Sequence, residues 1–110
     1  MARLTSEFWV SAWLRQAAHD GHVAVLRRRG AAEAGAIFVK LDRLDGTAAL
    51  YGPAPQSMAD EAGERRFVLV LEADPATVEE RVMRERKFDA DLWLVEIENR
   101  AGEPRISLSG

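Results

Sequence analysis

Five carboxylates fall at or beside apolar runs that read as strands: Asp42, Glu72, Asp74, Glu96 and Glu98. Paired carboxylates in such places can hold Mg²⁺, and a lysine beside them can stabilise charge developing on a phosphoryl group. That chemistry would make the chain a metal-dependent nuclease. The spacing does not suit it. Glu96-Ile97-Glu98 has no lysine two residues after the first acid, and Lys40 precedes Asp42 instead of following it. Acids at strand ends commonly serve only to keep the surface solvated.

His19 and His22 are the two histidines, and they flank Gly21. No serine or aspartate arrangement for nucleophilic catalysis accompanies them. Histidines at a helix end more often meet terminal carbonyls or solvent than a metal, so no metal site is expected. Gly30 and Gly35 bracket Ala-Ala-Glu-Ala, but no Gly-Lys-Ser/Thr follows and the next element reads as a strand. The amide cradle and helix dipole of a phosphate loop are therefore missing. No cofactor is expected.

Cations form a third group. Arg27-Arg28-Arg29, Arg65-Arg66 and the set Arg81, Arg84, Arg86 and Lys87 could meet phosphates. The last set is interleaved with Glu79, Glu80 and Glu85. Glu80 to Arg84 has the favourable i,i+4 order, so this face reads as salt-bridged and solvated. Consecutive arginines on a strand alternate sides and cannot all face one partner. Trp9 and Trp13 share a helix face, and Trp93 alternates with Val95 and Ile97. That spacing predicts core packing for all three, with a dimer seam as the second option.

The elements that must position these groups follow from periodicity and punctuation. Thr5 or Ser6 can cap a first helix whose stripe is Trp9, Val10, Trp13, Leu14 and Ala17, ended by Asp20-Gly21. Val23 to Arg29 reads as a strand. Ala36 to Asp42 is a second, with Ile37, Val39 and Leu41 on one face and Phe38, Lys40 and Asp42 on the other. Asp45-Gly46 predicts a two-residue hairpin turn, and Thr47 to Tyr51 returns. Gly52-Pro53-Ala54-Pro55 should stop that strand as a rigid elbow, because proline cannot donate to a ladder. Gln56 to Arg65 reads as a polar loop. Phe67 to Leu71 is continuously apolar and predicts a central strand buried on both faces. Asp74-Pro75 opens a second helix running to about Lys87. Leu92 to Ile97 is the last strand, and Arg100 to Gly110 a short strand or loose tail. The order predicts an α+β fold: a mostly antiparallel sheet of about five strands with two helices packed on one face. It is also similar to the helix–three strands–helix–strand order of the restriction-endonuclease-like core.

A two-residue turn at Asp45-Gly46 fixes the partners by counting outward: Leu44 with Thr47, Leu41 with Leu50, Lys40 with Tyr51. Leu41 and Leu50 would then face the core, and Lys40, Tyr51 and Phe38 the open side. Arg27 or Arg29 from the preceding strand would lie beside them. This patch of Lys40, Tyr51, Phe38, Arg27 and Arg29 is the expected binding site. Cations beside aromatic rings would suit an anionic small molecule, a phosphate backbone or an acidic peptide. Asp42 on the same face weakens the field.

Bulk composition narrows the classes. At 110 residues the chain fits a single α+β domain spanning 1–110. With 47% hydrophobic residues it can build a core. A net charge of −3 disfavours nucleic acid unless a local basic patch supplies the contact. No cysteine is present, which excludes disulfides, thiolate metal sites and cysteine nucleophiles. The N-terminal residues lack the apolar run of a signal peptide, and no stretch is long enough to span a membrane, so the expected location is cytoplasmic.

Trp9, Trp13, Arg28-Arg29-Gly30, Ala34-Gly35-Ala36-Ile37, Leu50-Tyr51-Gly52-Pro53-Ala54-Pro55 and Trp93 give the chain a familiar cast. It resembles the bacterial domain-of-unknown-function family 1491, small stand-alone proteins found mainly in alphaproteobacteria. The likeness covers almost the whole chain, and its most specific part is Tyr-Gly-Pro-Ala-Pro. The resemblance implies a bacterial single-domain protein and brings no catalytic residues with it. The expected function is a non-catalytic binding or interaction module of the bacterial cytoplasm, with a protein or an anionic small molecule as partner. A homodimer is compatible with it. The alternative is a small enzyme or nucleic-acid-processing protein using the basic and aromatic sheet face.

Overall fold

A five-stranded sheet in the order β1-β5-β2-β3-β4 organises the chain. The computed structural model describes residues 4–55 and 64–109. In chain order the elements are α1 (Ser6–His19), β1 (Val23–Arg28), β2 (Ile37–Asp42), β3 (Ala48–Pro53), β4 (Phe67–Ala73), α2 (Pro75–Phe88) and β5 (Trp93–Glu98). β5 runs parallel to β2, and every other neighbouring pair is antiparallel. The α+β class, the two helices and the mostly antiparallel sheet of five strands match the sequence reading.

The helices do not share a face. α1 packs Val10, Trp13 and Ala17 onto Ile37, Val39 and Leu41 of β2 and Trp93, Val95 and Ile97 of β5. α2 packs Val78 and Val82 onto Ala48, Leu50 and Leu94 on the opposite side. The reason lies in the connection between β4 and β5. These strands run parallel but sit at different places in the sheet, so the chain must cross over it, and α2 makes that crossing. The crossover takes one face and leaves the other for α1. Both faces of the middle strands are therefore buried.

One strand assignment changes for the same reason. The apolar run Phe67 to Leu71 belongs to an edge strand, and Leu69 is exposed. The strand buried on both faces is β5, where Trp93, Leu94 and Val95 are each at most 2% exposed. Trp93 and Trp13 lie in the core as expected, while Trp9 is only partly buried against it.

The β2–β3 register is shifted by one from the expected pairing. Lys40 pairs with Leu50, Leu41 with Ala49 and Val39 with Tyr51. The turn holds three residues, not two: Arg43 N–H donates to the Thr47 carbonyl, and Leu44 and Gly46 both take positive φ. Asp42 accepts from the Leu44 amide and Asp45 from the Thr47 amide and hydroxyl, which holds this conformation. The Thr47 bonds keep the Asp45 carboxyl below its ordinary value.

β3 also runs further than expected, with Gly52 opposite Val68 and Pro53 opposite Phe67. Ala54 N–H donates to the Arg66 carbonyl on the β4 side. Pro53 therefore has its nitrogen turned toward β2, where the ladder has already ended at Val39 and Tyr51. The missing donor costs nothing there. The loop expected over Gln56 to Arg65 lies mostly outside the described residues.

Caps and termini complete the frame. Thr5 accepts from the Phe8 amide at the start of α1, and Asp74 accepts from the Thr77 amide at the start of α2, with Pro75 behind it. The glycine-flanked segment 30–35 turns out to serve α1. Carbonyls of Glu33 and Ala32 accept from the Ser6 and Glu7 amides, and Ser6 Oγ donates to the Gly35 carbonyl at 2.6 Å. The C-terminal residues are not loose. Phe67 N–H donates to Ser107 O, and Ser109 N–H to Phe67 O, so the tail lies parallel to β4 and pairs with its first residue.

Candidate functional site: a tryptophan cleft beside a charge network

The expected patch is divided between three places. Tyr51 points to the α1 face, where it is 7% exposed, and burial raises its phenol pKa. Phe38 lies on the α2 face, partly buried against Leu50 and its neighbours. Arg29 leaves the sheet altogether: its guanidinium sits 5.2 Å from the Trp93 ring centroid and pairs with Glu7 at 2.7 Å. Only Lys40 and Arg27 are brought together.

They meet in a network of two cations and two carboxylates on the α2 face. Lys40 Nζ donates to Glu79 at 2.6 Å and lies 3.9 Å from Glu96. Arg27 donates to both oxygens of Glu79, at 2.8 and 3.0 Å, and to Glu96 at 2.6 Å. A bulge in β1 after Leu26 turns Arg27 toward this group. The Arg27 hydrogen bond, helped by Lys40 and opposed by burial, pulls the Glu79 carboxyl from 4.5 to about 2. The Glu79 bond in turn raises the Arg27 pKa. Glu79 is thus an ionised carboxylate already holding three hydrogen bonds, which is the opposite of a poised general base. The network neutralises a lysine that is 5% exposed. Among the described residues no group of three or more histidines and acids could hold a metal ion.

A cleft of about 560 Å³ opens on the other side of the sheet, between α1 and the C-terminal segment. α1 supplies Trp9, Trp13 and Gln16, which fall on one helical face. The two indoles are stacked, 6.2 Å apart and 13° from parallel, and Trp9 also meets Phe67 at 5.4 Å. The opposite wall is the segment around Arg105 and Ile106. Asn99 and Gly102 close the turn that brings this segment back: Gly102 N–H donates to the Asn99 carbonyl, and the Asn99 side-chain Nδ2 donates to Glu103 O. Trp13 Nε1 then donates to the Arg105 carbonyl at 3.1 Å, and the Arg105 guanidinium pairs with Asp20. Arg105 is held at φ 62, a strained value for a non-glycine residue that these two contacts maintain. Arg65 donates to the Leu4 carbonyl and Ser6 Oγ at one end, and Ser107 donates to Glu64.

Sequence reasoning placed Trp9 and Trp13 in the core and missed the cleft. The signal available was the Asn99-to-Gly102 turn followed by alternating Ile106 and Leu108, which marks an ordered segment beyond β5.

The protein-family comparison matches the model described as "Protein of unknown function (DUF1491)" over residues 4–107. The chain belongs to the DUF1491 family. The solution structure of protein Atu0922 from A. tumefaciens is similar at 42% identity, with 97% of this chain and 95% of that chain covered and a TM-score of 0.82. The crystal structure of a DUF1491 family protein from Caulobacter crescentus CB15 is 32% identical, covers 99% and 100% of the two chains, and gives a TM-score of 0.81. No curated protein matches the chain. The DUF1491 description assigns no activity. No helix among the described residues is long and apolar enough to cross a membrane.

Proposed function

We propose that this DUF1491 protein is a non-catalytic binding module of the bacterial cytoplasm, acting as one domain, with the tryptophan cleft as its ligand seat. The observation that carries the reading is the stacked Trp9–Trp13 pair lining a cleft of about 560 Å³. Small-molecule sites are mostly apolar concavities of roughly 300–1,000 Å³ with a few placed polar groups. The stacked indoles favour a planar, partly apolar ligand. Gln16, Glu103 and Arg105 at the rim offer donors and acceptors to its substituents. The strained Arg105 backbone, held by Trp13 and Asp20, fits a wall fixed in advance of binding.

The enzyme alternative has less behind it. The strongly shifted carboxyl is Glu79, shifted down and occupied by Arg27 and Lys40. Of the cations it would have used on phosphate, Arg27 and Lys40 are held in the same network and Arg29 is paired with Glu7.

The test is a screen of planar aromatic acids, amines and nucleosides by tryptophan fluorescence, repeated on Trp9→Leu. Saturable quenching that disappears in Trp9→Leu, with the fold intact by circular dichroism, supports the reading. Equal quenching of both proteins sinks it.

A further inference from the structure

The two edges of the sheet differ: the chain's own tail bridges β4 at its first residue, Phe67, through the pairing with Leu108, whereas β1 pairs with β5 alone. An open edge presents unpaired backbone donors and acceptors, and proteins usually guard such edges with lysine, proline or charge. On β1 the first two side chains of the α2 face are instead apolar, Val23 at 60% exposed and Val25 at 48%, while Arg27 beyond them is held by Glu79 and Glu96. The bulge after Leu26 then places Arg28 on that same face, opposite Leu94. Arg28 borders a hollow with Met83, Arg86 and Lys87 from the last two turns of α2. No carboxylate lines this hollow, and among the described residues none of its three cations has an ion-pair partner. Arg28 donates to the Ala90 carbonyl, while its buried Nε has no acceptor.

We infer that β1 is a strand-addition site for an extended, acidic segment of a partner protein. A strand laid along β1 alternates its side chains in step with the sheet. On the α2 face its residues fall beside Val23, then Val25, then the bulge of Arg27 and Arg28 and the cationic hollow. The partner therefore carries two apolar residues at alternate positions and a Glu or Asp at the next alternate position. Charge complementarity selects this occupant over a second copy of the chain. The strand Val23–Arg28 contains no acid, so a second β1 brings nothing to the hollow and adds cations of its own. The site is independent of the tryptophan cleft, which opens on the other face.

The experiment selects from a displayed library of randomised decapeptides with the full chain, then maps one synthetic selected peptide by NMR amide shifts. The expected motif is apolar-x-apolar-x-acidic or its reverse, with shifts concentrated over residues 23–28. Arg86→Glu combined with Lys87→Glu changes exposed side chains only and should weaken that peptide by about tenfold or more, as loss of complementary charge does. Val25→Lys should weaken it as well. The inference is overturned if no peptide is selected, if selected peptides lack the acid, if the shifts lie elsewhere, or if charge reversal leaves affinity unchanged. Concentration-dependent shifts of the β1 amides without peptide would assign the edge to a second copy and overturn it equally.

Discussion

Replacing Glu79 with glutamine removes the nearer of the two carboxylates that neutralise a buried lysine. Lys40 Nζ would keep only Glu96, at 3.9 Å and outside hydrogen-bond reach, while its own side chain is 6% exposed. Breaking a buried pair from one side costs about 3–5 kcal/mol. The Glu79 side chain is 34% exposed, so water screens part of the interaction. A loss of about 2 kcal/mol at neutral pH is the expected result. The pKa gives a second route to the same size. Glu79 falls from 4.5 to about 2 in the folded protein, chiefly through Arg27. That gap corresponds to about 3.4 kcal/mol at face value and about 1–2 kcal/mol after screening. The folded value lies below the unfolded one, so the stabilisation is complete above pH 4.5 and is lost as pH falls toward about 2. Wild type and Glu79→Gln should therefore differ at pH 7 and converge near the acid end. In a domain of 110 residues 2 kcal/mol lowers Tm by about 9 °C. Urea denaturation at pH 7, 5 and 3 reads the effect directly. Lys40→Met is the control: it removes the buried cation, leaves Glu79 with Arg27, and should cost under about 1 kcal/mol. A Glu79→Gln loss below about 0.5 kcal/mol at pH 7, or a gap that persists unchanged at pH 3, would refute the reasoning.

Two further substitutions test the sheet. A Cβ added at Gly52 would lie 2.8 Å from Phe38 Cε2 and 3.1 Å from Val70 Cγ2. Gly52→Ala should destabilise by about 1–3 kcal/mol in chemical denaturation, and a neutral result would mean that Phe38 moves aside freely. Leu44 sits at φ 61 and is exposed, so it contributes strain without core packing. Leu44→Gly should stabilise by about 0.5 kcal/mol, the left-handed penalty of about 1–2 kcal/mol offset by glycine's extra chain entropy, and a lower Tm would contradict the three-residue turn.

Local signals carried most of the fold. Asp74-Pro75, Thr5 and Gly21 marked helix ends because capping chemistry acts within a few residues. The alternation of Ile37, Val39 and Leu41 placed the α1 face of β2 correctly for the same reason. What failed depended on distant partners. Asp45-Gly46 suits both two- and three-residue turns, and the difference lay in Leu44 accepting a positive φ, stabilised by Asp42. That single residue moved Lys40 off Tyr51 and dissolved the expected patch. Lys40 found Glu79 instead, 39 residues away on α2, a pairing that no spacing rule contains. Phe67 to Leu71 is the more continuous apolar run, since Glu96 interrupts Trp93 to Ile97, yet the α2 crossover puts the second inside and the first at the edge. The tryptophan cleft needed the tail to fold back across α1, which rests on Trp13 and Asp20 holding Arg105.

The central claim is that Trp9 and Trp13 line a ligand seat while Trp93 is purely core. The three indole Nε1–H signals of ¹⁵N-labelled protein separate these roles. Trp93 donates to the Ala31 carbonyl at 2.7 Å and is 1% exposed, so its signal is an internal control. Titration with the planar aromatic compounds of the fluorescence screen should move the Trp9 and Trp13 signals saturably and leave Trp93 in place. Compounds that move none of the three at millimolar concentration, or that bind with shifts confined to other surfaces, would contradict the account.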